Sequence, residues 1–390
     1  MDGPKPLAGI TVLDMSQGIA GPSCASHFAA YGARVIKLEP PGGDWIRQLG
    51  ARIAGSSAAT IAYNRGKESI AVDLKTKEGR EIALKLGEKA QVVLESARPG
   101  VMERLGLGFA AFRERNPSVV YVSISGYGQR GPKREAAMVD TVGQASSGLM
   151  SVMRSREGAP VKMDVPLIDA ITGLYAFQSA TMELWERKPD QPGRHLDISL
   201  MQSAAHVQIL NIVEHAFLGR PPRLINPPAG NYPTADGWIA ITLVTEAQYQ
   251  AICRALARPD LASDPRFATF AARSENLAEL RREMDAVLKT MSTQHWVTEF
   301  AREGALGAAI NDYGDWLSDA HVKAVDAAPA YELPDGATVR VPHLPGGIMD
   351  DAAVPIIGEH SRAVLTELGY TRGEVDQLVG RGVVVDLGAE

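Results

Sequence analysis

The sequence predicts an α/β protein built around a parallel sheet, and three features carry that expectation. In the first hundred residues, short β-branched runs at 10–15, 35–38 and 91–95 alternate with longer helical patterns such as 24–31, which is the pattern of βαβ units. Gly32 punctuates the first helical pattern, and Pro40-Pro41-Gly42-Gly43 ends the second strand in a loop, so the breaks fall between the periodic segments. The 390 residues, 45% apolar and 22% charged, have the composition of an ordinary globular protein and are too many for one simple core, so two domains are expected.

Further along, residues 77–89 have helical spacing, and 118–125 form a strand that enters the loop Gly126-Tyr127-Gly128-Gln129-Arg130-Gly131-Pro132. Two long helices are expected at about 170–187 and 197–218, separated by a polar turn at 188–195. After Pro221-Pro222 and Pro227-Pro228 the pattern changes to a short strand at 237–242 and then to helices rich in Ala, Leu, Glu and Arg as far as about 320. That change marks 226–325 as a second, mixed domain joined by a linker at 201–225. A strand pair around a turn at Pro334-Asp335-Gly336 and a final helix at 359–368 complete the chain.

A formal charge of −6 argues against nucleic acid or an anionic membrane surface as the main partner, while leaving room for local basic patches. Cys24 and Cys253 are the only cysteines and have no metal-type spacing, so neither a disulfide framework nor a metal site is expected, and a reducing cytoplasm fits. No targeting pattern opens the chain and no run of about 18 apolar residues occurs, so a soluble cytoplasmic protein is expected.

Asp169 stands where the apolar stretch Val165-Pro166-Leu167-Ile168 gives way to a long helical pattern. An Asp there reads as a helix N-cap, and the same position would hold the carboxylate as an anion, which a covalent acyl carrier requires. The loop Ser16-Gln17-Gly18-Ile19-Ala20-Gly21 follows the first strand but lacks the glycine spacing of a dinucleotide fingerprint; it is either a plain tight turn or a backbone surface for an oxyanion. Basic residues dot the loops of the first third, among them Arg47, Arg65, Lys67, Lys75, Arg130, Lys133 and Arg134. Arg98 and Arg104 flank Pro99-Gly100 just past the strand ending at Glu95, at the carboxyl edge where open α/β sheets bind ligands. None of the eight histidines falls into an acid–base or metal pattern.

Read together in order, these motifs resemble the family III CoA-transferases, the carnitine dehydratase and bile-acid-inducible protein F type, over essentially the whole chain. The matching segments include Gly9-Ile10-Thr11-Val12-Leu13-Asp14, Ala20-Gly21-Pro22, Val35-Ile36-Lys37-Leu38-Glu39-Pro40-Pro41-Gly42-Gly43-Asp44 and Asn64-Arg65-Gly66-Lys67. Arg98-Pro99-Gly100, Ser125-Gly126-Tyr127-Gly128-Gln129, Tyr232-Pro233-Thr234-Ala235-Asp236-Gly237-Trp238, Asp264-Pro265-Arg266-Phe267 and Gly358-Glu359-His360 extend the match. The resemblance implies a Rossmann-like large domain at 1–200 completed by 326–390, a small mixed α/β domain at 226–325, and an interlocked homodimer. It places the nucleophile on Asp169 and contacts to coenzyme A on Ile19, Ala20, Val72, Asp73, Leu74, Lys75, Arg98 and Arg104, with coenzyme A as substrate, no tightly bound cofactor and no metal. Where relatives carry basic residues, this chain has Pro40 and Ala137, leaving Lys133 and Arg134 as replacements.

The activity this implies is transfer of CoA from an acyl-CoA donor to a carboxylic acid through an aspartyl anhydride and an aspartyl-CoA thioester. The alternative within the resemblance is an α-methylacyl-CoA racemase, which exchanges an α-proton with a His and an Asp. The histidine of that pair falls on Val139, which cannot carry a proton, whereas Glu246 matches an acidic position that some racemases use.

Overall fold

The computed structural model describes residues 5–53, 55–155, 158–187, 191–219, 226–333, 336–347 and 352–387. The chain forms two compact units, Met1–Ile212 with Ala328–Glu390, and Val213–Ala327.

The first unit is mixed α/β around a seven-stranded sheet. Its strands are β1 (Thr11–Asp14), β2 (Arg34–Glu39), β3 (Glu68–Val72), β4 (Val92–Glu95), β5 (Val120–Ser125), β6 (His195–Ser199) and the C-terminal Val384–Val385. In space the order is Val384–Val385, β3, β2, β1, β4, β5, β6, with every pairing parallel except that of Val384–Val385 with β3. A parallel sheet is covered on both faces, so its strands send apolar side chains both ways. Leu13, Ile36, Ile70, Val93 and Tyr121 pack on one side with Ile82, Leu86, Phe112, Leu365 and Val375. Val12, Val35, Val92, Leu94 and Val122 pack on the other with α1 (Ala20–Ala30) and with Ile168, Ala176 and Ala180 of the helix Leu167–Glu186.

Two expectations change here. The segment expected to open a helix at 197 is strand β6, and the helix begins at Leu200. His195-Leu196-Asp197-Ile198-Ser199 alternates polar and apolar as an edge strand does, and the apolar helix behind it masks that period. A further helix, Arg372–Gly380, follows Ser361–Glu367 and leads the chain back to the sheet through Val384–Val385. Strands Ala330–Glu332 and Thr338–Arg340 pair antiparallel, while Pro334 and Asp335 of the expected turn, like Pro221-Pro222, lie outside the described residues.

The second unit has a three-stranded antiparallel sheet, β7 (Gly230–Pro233), β8 (Trp238–Thr242) and β9 (Leu306–Ala309), with β8 central. Helices Glu246–Ala255, Leu277–Leu288 and Thr293–Glu303 cover it around Tyr232, Ile239, Ile241, Met284, Trp296 and Phe300. A reciprocal capping box between Thr245 and Gln248 sets the first of these helices. Among the described residues no helix is long and apolar enough to cross a membrane.

Candidate active site

Because β1 to β6 run in one direction, their following loops all emerge at one edge of the sheet. The chain steps from β1 to β2 and β3 on one side and resumes at β4 on the other side of β1, so the switch in strand order lies between β1 and β4. A crevice at such a switch is where open α/β sheets hold ligands. Ile19 and Ala20 start α1 after β1; Arg98, on the loop after β4, and Arg104, at the end of the short helix Val101–Arg104 that follows it, are both exposed. These two loops are tied together: Ser96 Oγ accepts from the Gln17 amide at 2.9 Å and lies 3.2 Å from the Gln17 carbonyl. Arg104 folds back over Gly100, whose φ of 84° and lack of a side chain leave space for the guanidinium. Val72 ends β3, two strands across, and Asp73, Leu74 and Lys75 form the turn after it, with the Asp73 amide bonded to the Val383 carbonyl at 2.8 Å and Asp73 Oδ1 accepting from the Lys75 amide at 2.9 Å. The structure therefore brings Ile19, Ala20, Arg98 and Arg104 to the switch and leaves 72–75 further along the same edge.

What shapes the β1 loop is a buried polar network that takes in Arg47 and Lys67, two of the basic residues of the first third. Asp14, Lys37 and Ser69 stand side by side on adjacent strands. Lys67 Nζ donates to Asp14 Oδ2 at 2.9 Å, to Asn64 Oδ1 at 3.0 Å and to the Pro22 carbonyl at 3.0 Å. Lys37 Nζ donates to Asp44 Oδ2 at 2.9 Å and to the Ser16 carbonyl, and Asp44 Oδ1 accepts from the Gly18 amide at 3.1 Å. Burial alone would raise the Asp14 carboxyl, but the ammonium groups of Lys37 and Lys67 overcome it and hold it below the ordinary range. Arg47 grips Glu39 with two hydrogen bonds of 2.7 and 2.6 Å. Arg47 and Lys67 are thus committed inside the protein rather than offered to a ligand. Gly18, at φ 83°, lies under the Trp45 indole, where a Cβ would come within 2.5 Å of the ring. Replacing Lys67 with Met should cost about 3 to 5 kcal/mol, because Asp14 then loses its nearest buried counter-charge; urea unfolding of the variant measures the loss.

Asp169 sits in the first turn of the helix Leu167–Glu186, but not as its cap. The N-cap position is Pro166, and the first-turn amides of Ile168 and Asp169 are bonded to Asp140 Oδ2 at 2.7 and 3.2 Å. Asp140 opens the helix Asp140–Ser146 and is fixed through Oδ1 by Gln144 Nε2 at 2.5 Å. Asp140 therefore faces the Asp169 backbone. One turn after Asp169, on the same helix face, Gly173 lets the helix close on α1: a Cβ there would stand 2.7 Å from the Ala20 carbonyl oxygen and 2.9 Å from Ser23. This packing directs the Asp169 side of the helix towards the start of α1, whose N-cap residue Ile19 supplies no side-chain hydrogen bond to the first-turn amides. Burial, and then the charge of Asp140, push the Asp169 carboxyl up to about 7. The sequence expectation of a carboxylate held as an anion by the helix start is thus offset by desolvation. Tyr63 faces the same carboxyl: burial first, then the Asp169 charge, raises its phenol.

The two positions weighed for the racemase alternative are Val139 and Glu246. Val139 is 59% exposed at the N-cap of the Asp140–Ser146 helix. Glu246 belongs to the second unit, where Oε1 accepts from the Phe270 amide at 3.0 Å and Oε2 pairs with the fully buried Arg273 at 2.7 Å.

Comparison with known proteins sets this geometry in context. The sequence model described as CoA-transferase family III matches residues 7–361. A succinyl-CoA–D-citramalate CoA-transferase of Chloroflexus aurantiacus is 31% identical, covering 98% of this chain and 98% of its own length. A succinate–glutarate CoA-transferase of Agrobacterium fabrum is 32% identical over 93% of this chain and 96% of its own. Among solved structures, a CAIB/BAIF family protein from Brucella suis superposes with a TM-score of 0.83 at 30% identity, covering 94% of this chain and all of that one.

Proposed function

For a chain that belongs to CoA-transferase family III, and is therefore a CoA-transferase that takes acyl-CoA and carboxylate substrates, we propose that Asp169 is the acyl carrier. The observation that carries this reading is a half-buried carboxyl in the first turn of a helix packed against the start of α1, next to the switch in strand order. The Asp169 carboxylate attacks the donor thioester carbonyl, the C–S bond breaks, and an aspartyl-acyl anhydride forms with release of CoA thiolate. That thiolate attacks the aspartyl carbonyl, giving an aspartyl-CoA thioester and the free donor acid. The acceptor carboxylate then attacks this thioester to form a second anhydride, and the thiolate released attacks the acceptor's carbonyl, yielding the new acyl-CoA and restoring the Asp169 carboxylate. The first-turn amides of α1, near Ile19 and Ala20, suit the thioester oxyanion in each step. Arg98 and Arg104 at the switch, with Lys133 and Arg134 on the loop after β5, suit the coenzyme's phosphates, and Val72, Asp73, Leu74 and Lys75 along the same edge suit other contacts to the coenzyme.

Because the named relatives include transferases of succinyl-CoA, succinyl-CoA is the first donor to test, beside acetyl-CoA and butyrobetainyl-CoA, against a panel of carboxylic acids. New acyl-CoA species detected by mass spectrometry are expected. Exchange of the α-hydrogen of a 2-methylacyl-CoA for deuterium, without any acyl exchange, would contradict transfer and support racemisation.

We also infer an interlocked homodimer. The helix Ile209–Leu218 has no buried residue, and Ile209, Leu210, Val213 and Phe217 stand exposed on it, Phe217 at 87%. So large an apolar surface on a monomer calls for a partner, and a second copy matches the resemblance. Light scattering at micromolar concentration should give a dimer, with stability that rises with protein concentration; a stable folded monomer contradicts this.

A further inference from the structure

On the sheet face opposite Asp14 and Lys37, a second polar row crosses three strand ends. Glu95, Ser123 and Asp197 are paired in register across β4, β5 and β6. Each end of the row holds a loop. Glu95 Oε2 accepts from the Ala97 amide at 2.7 Å, one residue before Arg98, and Asp197 accepts from the Gln129 amide at 2.9 and 3.1 Å, one residue before Arg130. Ser123, between them in register, is hydrogen-bonded to Glu95, and its Oγ lies 2.8 Å from His195 Nε2. Glu95 is 4% exposed at the strand end that borders the switch, where burial first, with Glu103 and Asp197 adding repulsion, pushes its carboxyl up to about 7. A carboxyl kept there at such a cost, on an apolar face, with an oxygen on one loop amide, acts by placing that loop.

We propose that Glu95 is a positioning residue for coenzyme A: by holding the Ala97 amide it sets the turn that presents Arg98 and Arg104 to the coenzyme's phosphates. The inference rests on the assignment of those arginines to the coenzyme. Removing the carboxyl frees the turn and leaves the half-buried Ala97 amide without its acceptor, so the arginines spend less time in place. The chemistry at Asp169 uses a different helix and is left intact.

The test uses the full chain and measures both free CoA binding by calorimetry and steady-state transfer. Glu95→Ala should raise the CoA Kd and the acyl-CoA KM about tenfold while kcat changes less than about threefold. Glu95→Gln, which keeps an oxygen for the Ala97 amide, should return Kd to within about threefold of the parent. In an Arg98→Ala, Arg104→Ala background, Glu95→Ala should add almost nothing, because its effect passes through those side chains. Unchanged Kd in a folded Glu95→Ala protein, a loss confined to kcat, failure of Glu95→Gln to rescue, or full additivity in the arginine-free background each overturns the proposal. Failure of the parent protein itself to bind CoA overturns the coenzyme-site reading and this inference with it, and so is told apart from failure of the inference alone.

Discussion

Asp169→Ala should lower acyl exchange by at least about a thousandfold while leaving the fold and CoA binding near the parent values. The carboxylate is the atom group that forms each covalent intermediate, so no other side chain substitutes for its loss. Tyr63, the neighbouring phenol, is raised by burial and by the Asp169 charge and is a poor nucleophile near neutral pH. The variant is also expected to be more stable than the parent at pH 8. A carboxyl pushed up to about 7 in the folded protein binds its proton more tightly there than in the unfolded chain. Between its ordinary value of 3.8 and about 7 folding therefore takes up a proton, and stability falls as pH rises through that window. Deleting the carboxyl removes this penalty above pH 7 and changes little below pH 4. Asp169→Asn would show the same stabilisation, but slow deamidation could restore activity, so Ala is the cleaner variant for kinetics.

The pH profile of kcat/KM carries the second large effect. Only the ionised carboxylate attacks the thioester, so the rate should fall about tenfold per pH unit below about 7 and level off above it. Asp140 sets part of this. Its Oδ2 takes the Ile168 and Asp169 amides, and its charge pushes the Asp169 carboxyl up. Asp140→Asn keeps one oxygen for the helix amides and removes the charge, so the acid limb should move to lower pH. Asp140→Ala also leaves the first-turn amides without an acceptor and should cost about 1 to 2 kcal/mol of stability. An acid limb unmoved in Asp140→Asn would show that the two carboxyls are not electrostatically coupled.

In the first unit the strands legible in the sequence are β1, β2, β4 and β5, each with a run of Val, Ile or Leu, and in the second unit β8 was legible as Ile239-Ala240-Ile241-Thr242. β3 was missed because Glu68 and Ser69 dilute its apolar signal, and Val384–Val385 is too short to carry a period. Of the site, the family motifs led to Asp169 and to the loops bearing Ile19, Ala20, Arg98 and Arg104. Its electrostatics were not legible. The carboxylate that takes the helix amides lies 29 residues upstream, on another helix, so local pattern made Asp169 its own cap. Lys37 did offer a signal: in Arg34-Val35-Ile36-Lys37-Leu38-Glu39, a strand of a sheet covered on both faces, a central lysine must be buried and paired. Lys67 offered none, since only the folded chain places it against Asp14, 53 residues away.

The claim that matters most is that Asp169 becomes covalently acylated during turnover. Incubation of the protein with an acyl-CoA donor, quenching with hydroxylamine and mapping of the peptides by mass spectrometry tests it directly. The expected result is a hydroxamate on Asp169, formed only when acyl-CoA is present and absent from Asp169→Ala. A modified residue elsewhere, or undiminished acyl exchange by Asp169→Ala, would contradict it.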